Sequence, residues 1–203
     1  MATQEELICR RHSTRNFDPT YMIDRATQER ILRAGLQAPS PKNRQPWKLV
    51  VLDRREDIRN VADILEAEIV KNRDKWEPTQ ATELDMALAS AEIIRSVSVL
   101  VLVCYERDEK NKRGGAMNWT LSMQGFEAAD LQSIGACVEN MLLTAEEMGI
   151  ASLWLCDVLY AQRRLGEELS LEYPMVAAVA LGKASSTYTP RKSLAEKVRW
   201  ING

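Results

Sequence analysis

The stretch from Asp130 to Met148 limits the fold more than any other part of the chain. Leu131, Ile134, Val138, Met141, Leu142, Ala145 and Met148 recur at helical spacing, and Gly149 stands where a left-handed C-cap is wanted. Ala136, Cys137 and Leu143 make further faces apolar. A helix that is apolar on several faces must be covered on several sides. The segment therefore reads as the central helix of a layered fold.

Four shorter segments, Lys48 to Leu52, Val97 to Tyr105, Ser152 to Cys156 and Val176 to Leu181, are rich in β-branched residues and read as strands. Between them lie helical patterns. Thr3 and Glu6 have capping-box spacing and open a helix ending near Arg11. Asp24 caps a second, with Ile31, Leu32, Gly35 and Leu36 on its apolar side and Pro39 as its stop. A third runs from about Asp57 to Arg73, and a fourth occupies residues 80–95. Strands separated by long helices give a layered α/β arrangement. The 203 residues suit a single domain, 1–203. Within it, 106–124 reads as an irregular surface or lid segment, and 183–203 as an extended tail whose Val198, Trp200 and Ile201 need cover.

The composition excludes several functions. Lys+Arg 27 against Asp+Glu 29 leaves a net charge of −2, so no general field attracts nucleic acid. Any anion site has to be a local cluster of basic residues. The longest apolar run, Val97 to Cys104, interrupted by Ser98, is far short of the roughly 20 residues of a membrane span. The first residues are polar, without a signal-peptide core. Cys9, Cys104, Cys137 and Cys156 are far apart and His12 is the only histidine, so no metal-ligand pattern exists. Reduced thiols and a cytoplasmic location are the expectation. Neither standard glycine-rich nucleotide loop is present.

Four motifs can carry chemistry, and each has an ordinary structural explanation. Arg10-Arg11-His12-Ser13-Thr14-Arg15 can surround a phosphate, or be a solvated helix end where basic groups suit the dipole. Ala38-Pro39-Ser40-Pro41-Lys42-Asn43-Arg44-Gln45-Pro46-Trp47 is a stiff loop that can meet a flat ligand, or simply a Pro-rich connection. Gly149 to Asp157 leads from a helix stop into a strand whose end can meet a ligand, or is a plain core strand. Pro190-Arg191-Lys192-Ser193-Leu194 adds two basic residues to the tail, as a site or as surface charge.

In their order and spacing these motifs resemble the FMN-dependent nitroreductase family. The resemblance covers nearly the whole chain. It rests on RRHSTRNFD, APSPKNRQPW about 25 residues later, DLQSIGACVENMLLTAEEMGIASLW, and PRKSL after VAAVALG. It implies an α+β nitroreductase-like fold, a central antiparallel or mixed sheet flanked by helices around a buried central helix. It also implies a domain-swapped homodimer with FMN at the interface.

By the same resemblance, Arg11, His12, Ser13 and Arg15 contact the FMN phosphate, ribityl chain and pyrimidine edge. Pro39, Ser40, Pro41 and Asn43 approach the same flavin from the partner subunit. Leu155, Cys156 and Asp157 match the backbone contact near flavin N5, where many members have glycines. Arg191 matches the tail arginine on the phosphate. The activity implied is two-electron transfer, by turns, from NAD(P)H through flavin N5 to a flat electron-poor acceptor such as a nitroaromatic or quinone. The flavin carries the reactivity, so no catalytic side chain and no metal is expected. Trp119 and Phe126 can stack over the acceptor, or pack beneath a surface loop. A flavin-dependent dehalogenase or other reaction of the superfamily, and a non-catalytic FMN-binding protein, are the alternatives. An interaction protein without a cofactor fits less well, because it leaves four spaced motifs without a purpose.

Overall fold

The computed structural model describes residues 3–75, 81–106 and 119–185, with side chains described for all of these except 81 and 119–127. Four strands, β1 (Trp47–Leu52), β2 (Val99–Tyr105), β3 (Ala151–Leu155) and β4 (Met175–Gly182), form one sheet in the order β1-β2-β4-β3. Every neighbouring pair is antiparallel, so of the two expected forms, antiparallel and mixed, the sheet takes the first.

β2 shows why helices must cover both faces. Leu100, Leu102 and Cys104 join one apolar core, while Val99, Val101 and Val103 join the other. Alternate side chains of a strand point to opposite faces, so a strand apolar at every position needs two cores. The first core is closed by α3 (Arg55–Lys71), α4 (Ala81–Ser96) and α6 (Gln162–Glu168). The second is closed by α2 (Arg25–Gly35) and α5 (Trp119–Glu147). In β4, Ala177, Val179 and Leu181 face the second core while Met175, Ala178 and Ala180 face the first. A register shift between Val103 and Cys104 accounts for the break in alternation at Met175.

α5 is the expected central helix, but it begins at Trp119 rather than near Asp130. Its backbone therefore takes in 119–124, which the sequence assigned to the irregular segment. Its end is as expected. Gly149 has φ +71°, Ile150 N donates to Ala145 O at 2.8 Å, and Gly149 N donates to Glu146 O at 3.1 Å. That pair of bonds is the glycine-terminated helix stop in which a left-handed residue satisfies the last carbonyls. Leu131, counted in the apolar stripe, is instead exposed, as is Leu36 at the end of α2. α2 stops at Gly35, before Pro39 is reached. The first helix, α1 (Gln4–Arg10), forms with its capping box complete: Thr3 Oγ1 accepts from Glu6 N, and Thr3 N donates to Glu6 Oε2.

Two distant parts of the chain meet beyond the sheet. Asp18 N donates to Lys183 O at 2.8 Å, Ser185 N donates to Asn16 O at 3.0 Å, and Phe17 is bridged to Ala184. The ring of Phe17 is buried on Gly182, where a Cβ would lie 2.8 Å from Phe17 Cδ1. The root of the tail is thereby fixed beside the residues that follow α1. Most of the segments 106–124 and 183–203, and Arg191, lie outside the described residues.

All four cysteines are free. Burial pushes the thiol of Cys104 up to about 11 and that of Cys137 up to about 12. Among the described residues, no helix is long and apolar enough to cross a membrane.

Candidate functional site

α5 meets residues from two of the motifs singled out from the sequence, the basic turn and the Pro-rich loop. α1 is tied to it by two ion pairs, Arg10 Nε to Glu146 Oε1 at 3.1 Å and Arg11 Nε to Glu139 Oε1 at 3.4 Å. The Arg11 side chain is 8% exposed. It is thus a fixed internal cation rather than a solvated helix end. His12 is half-buried, its Nδ1 3.1 Å from Arg10 O. Ser13 and Arg15 are exposed, and Arg15 Nη1 donates to Ser13 O at 3.3 Å. Between them Thr14 turns inward. Its N–H donates to Ser152 O at 3.0 Å, on the free edge of β3. Its buried Oγ1 has no hydrogen-bond partner among the described residues. An orphaned buried hydroxyl costs about 1–3 kcal/mol, which a polar ligand or water can recover.

The Pro-rich loop packs on the same helix. Pro39, Ser40 and Pro41 face Ala129, Gln132, Ser133 and Ala136 across an open cleft of about 290 Å³. That size lies at the lower edge of the roughly 300–1,000 Å³ of small-molecule sites. Glu139, the partner of Arg11, follows Ala136 by about one turn of α5, or roughly 5 Å along its axis. The guanidinium and the cleft are therefore neighbours on one helix.

The loop holds an unusual backbone. Lys42, Asn43 and Gln45 have φ of 55°, 53° and 50°. Residues other than glycine reach this region at a cost of order 1–3 kcal/mol each, so surrounding contacts must hold them. Ser40 Oγ accepts from Gln45 N at 2.9 Å, and Asn43 Oδ1 accepts from Gln45 Nε2 at 3.1 Å. The stronger anchor is Arg44. Its Nε donates to Asp130 Oδ1 at 3.0 Å, and its Nη2 bonds the same oxygen. Tyr105 Oη donates to Asp130 Oδ2 at 3.0 Å. A buried carboxylate so joins the loop, the end of β2 and α5. Sequence reasoning missed Arg44, Asp130, Tyr105 and Glu139. The available signal was an acidic residue set on an otherwise apolar helix, which demands a cationic partner.

The end of β3 presents the remaining group. Leu155 points into the first core, so any contact it makes with a ligand is through its backbone. Cys156 is exposed, and Asp157 opens a 3-10 turn, Asp157–Ala161, anchored by buried Val158 and Ala161. Asp157 Oδ2 accepts from Ser90 Oγ of α4 at 2.5 Å. The side chains of Trp119 and Phe126 lie outside the described residues.

The antiparallel sheet between two helical layers, with a basic turn and a strained Pro-rich loop on one internal helix, defines an α+β class of nitroreductase-like fold. The chain belongs to the nitroreductase family, whose model matches residues 8–183. Among solved structures, a BluB-like flavoprotein from Clostridium difficile 630 is 26% identical with a TM-score of 0.81, covering 100% of both chains. A nitroreductase in complex with FMN from Desulfovibrio desulfuricans, provisionally so named, is 25% identical with a TM-score of 0.71, covering 100% of this chain and 99% of that one. An Archaeoglobus fulgidus protein, provisionally named NADH dehydrogenase/NAD(P)H nitroreductase, is 25% identical over 74% of this chain. The match spans 65% of that relative's length, less than two thirds.

Proposed function

We propose that the protein is an FMN-dependent oxidoreductase that moves two electrons from NAD(P)H to a flat electron-poor acceptor such as a nitroaromatic or quinone. The observation that supports this reading is the match of the family model over residues 8–183, which takes in buried Arg11 and the Pro39–Asn43 loop, the loop being assigned to the flavin of the partner subunit. FMN, when bound, supplies the hydride chemistry at its N5. The residues suit that cofactor. Arg11 and Arg15 are always-charged planar donors of the kind that hold phosphate. Ser13 and Ser40 offer hydroxyls, and the orphaned Thr14 hydroxyl marks a buried position that wants a polar partner. The stiff loop presents Pro39, Ser40, Pro41 and Asn43 with little ordering entropy left to lose. Arg191 is assigned to the same phosphate through its place in the PRKSL motif, and the tail leading to it starts beside Asn16–Asp18.

These residues bind, orient and exclude water; none has to take or give a proton at a reacting atom. Purified protein should be yellow, and anaerobic NADH or NADPH should bleach it. A colourless protein that takes up no added FMN would reject the reading. Arg11→Ala should weaken FMN binding by about 1.5–3 kcal/mol, roughly ten- to a hundred-fold in Kd, the worth of a hydrogen bond to a charged group. Unchanged retention of flavin through dialysis would remove Arg11 from the site.

The full-length likeness to a BluB-like flavoprotein favours a second reading, a flavin-dependent reaction other than reduction of such acceptors. Turnover of the bleached protein with oxygen but with none of a panel of nitroaromatics and quinones would select it.

We also assign a homodimer. Ile8, Leu36 and Leu131, on the three helices of the α5 side, are 52%, 44% and 47% exposed, and a second copy would cover them. Sedimentation should give about twice the chain mass; a particle of 23.0 kDa would exclude a site shared between subunits.

A further inference from the structure

The end of β3 carries a negative charge that the binding reading does not use. Asp157 sits on a turn anchored in the core by Val158 and Ala161, which are 0% and 2% exposed. Its carboxylate is held from a different element by Ser90, which is itself 5% exposed. Ser90 Oγ also lies 3.3 Å from Met86 O. The hydroxyl has one proton, and the shorter 2.5 Å contact to Asp157 takes it. The charge is felt on the outer side of the turn. It helps to raise the pKa of both exposed neighbours, Cys156 and Tyr160, in each case after desolvation. A carboxylate made rigid at both backbone and side chain is a standing field, not a mobile surface charge.

We propose that Asp157, held by Ser90, is a positioning residue that keeps the reduction potential of the bound flavin low. This rests on the reading that the Leu155–Asp157 segment borders the flavin. Reduction adds negative charge to the ring system, and a fixed anion alongside opposes it. The oxidised cofactor is then bound in preference to the reduced one, and electrons pass on readily to a weak acceptor.

The test is an anaerobic redox titration of the FMN-loaded full-length protein, with Kd for oxidised FMN measured separately by fluorescence quenching. Asp157→Asn should strengthen binding of reduced over oxidised FMN about tenfold, a rise of about 30 mV for a two-electron couple. Asp157→Glu, which keeps the charge, should stay near the wild-type potential. Ser90→Ala frees the carboxylate and should raise the potential by less than Asp157→Asn, and it decides the matter should Asp157→Asn fail to fold. Variants that bind FMN with an unchanged potential would overturn the proposal and leave the flavoprotein reading standing. A wild-type chain that binds no FMN would overturn both.

Discussion

Replacing Asp130 by alanine should cost about 3 kcal/mol of folding stability and loosen the Pro-rich loop as well. Removing one member of a buried ion pair typically costs about 3–5 kcal/mol, because the remaining charge is stranded. Arg44 retains 13% side-chain exposure, which sets the expectation at the lower end. The hydrogen bond from Tyr105 Oη would go at the same time. The urea midpoint should fall with the slope unchanged, as for a loss of stability without a change in compactness. The pairing of Arg44→Met with Asp130→Leu should recover most of the loss, because an apolar pair leaves no charge behind. On the proposed reading the double variant's flavin affinity should nevertheless stay low, as in the single variant, since the strained residues Lys42, Asn43 and Gln45 would no longer be held from Arg44. A single Asp130→Ala variant as stable as the wild type would show that water already reaches the carboxylate.

The second large effect is expected at the crossing of α2 and α5. A Cβ on Gly35 would lie 2.7 Å from Met141 Cγ, 3.1 Å from the Cys137 carbonyl oxygen and 3.2 Å from Cys137 Sγ. Met141 can swing aside, but the carbonyl belongs to the helix backbone. Gly35→Val should therefore destabilise by about 2–3 kcal/mol through overpacking. This outweighs the gain of less than about 1 kcal/mol from replacing a helical glycine. Met141→Ala alone opens a cavity costing about 2–5 kcal/mol. The two together should lose less than their sum, because the new side chain occupies part of that cavity. Additive losses in thermal or urea unfolding would show that the two positions do not share space.

How much of this was visible in the chain can be judged residue by residue. The β-branched run of β2 and the helical spacing from Ile134 to Ala145 are local patterns, and they located the sheet and its internal helix. The capping box at Thr3 and the stop at Gly149 were equally local. The start of α5 was not legible, because the charge run Glu106 to Lys110 and the pair Gly114-Gly115 made 106–124 read as irregular. Leu36 and Leu131 had the right spacing, but spacing does not say which edge of an apolar stripe is covered. The basic turn and the Pro-rich loop were found as motifs. What fixes them was not, since Arg44 and Asp130 are 86 positions apart and Ser90 and Asp157 are 67 apart. Long-range pairing leaves no periodic trace. Nor did a loop without glycine announce three left-handed residues.

The meeting of Asn16–Asp18 with Lys183–Ser185 governs how the molecule comes to exist. During synthesis the seat for Phe17 is not complete until residue 185 has left the ribosome. The first basic turn must wait, exposed, for nearly the entire polypeptide. A truncation shortly before Gly182 leaves an aromatic ring without a home and a translation product fit for proteolysis.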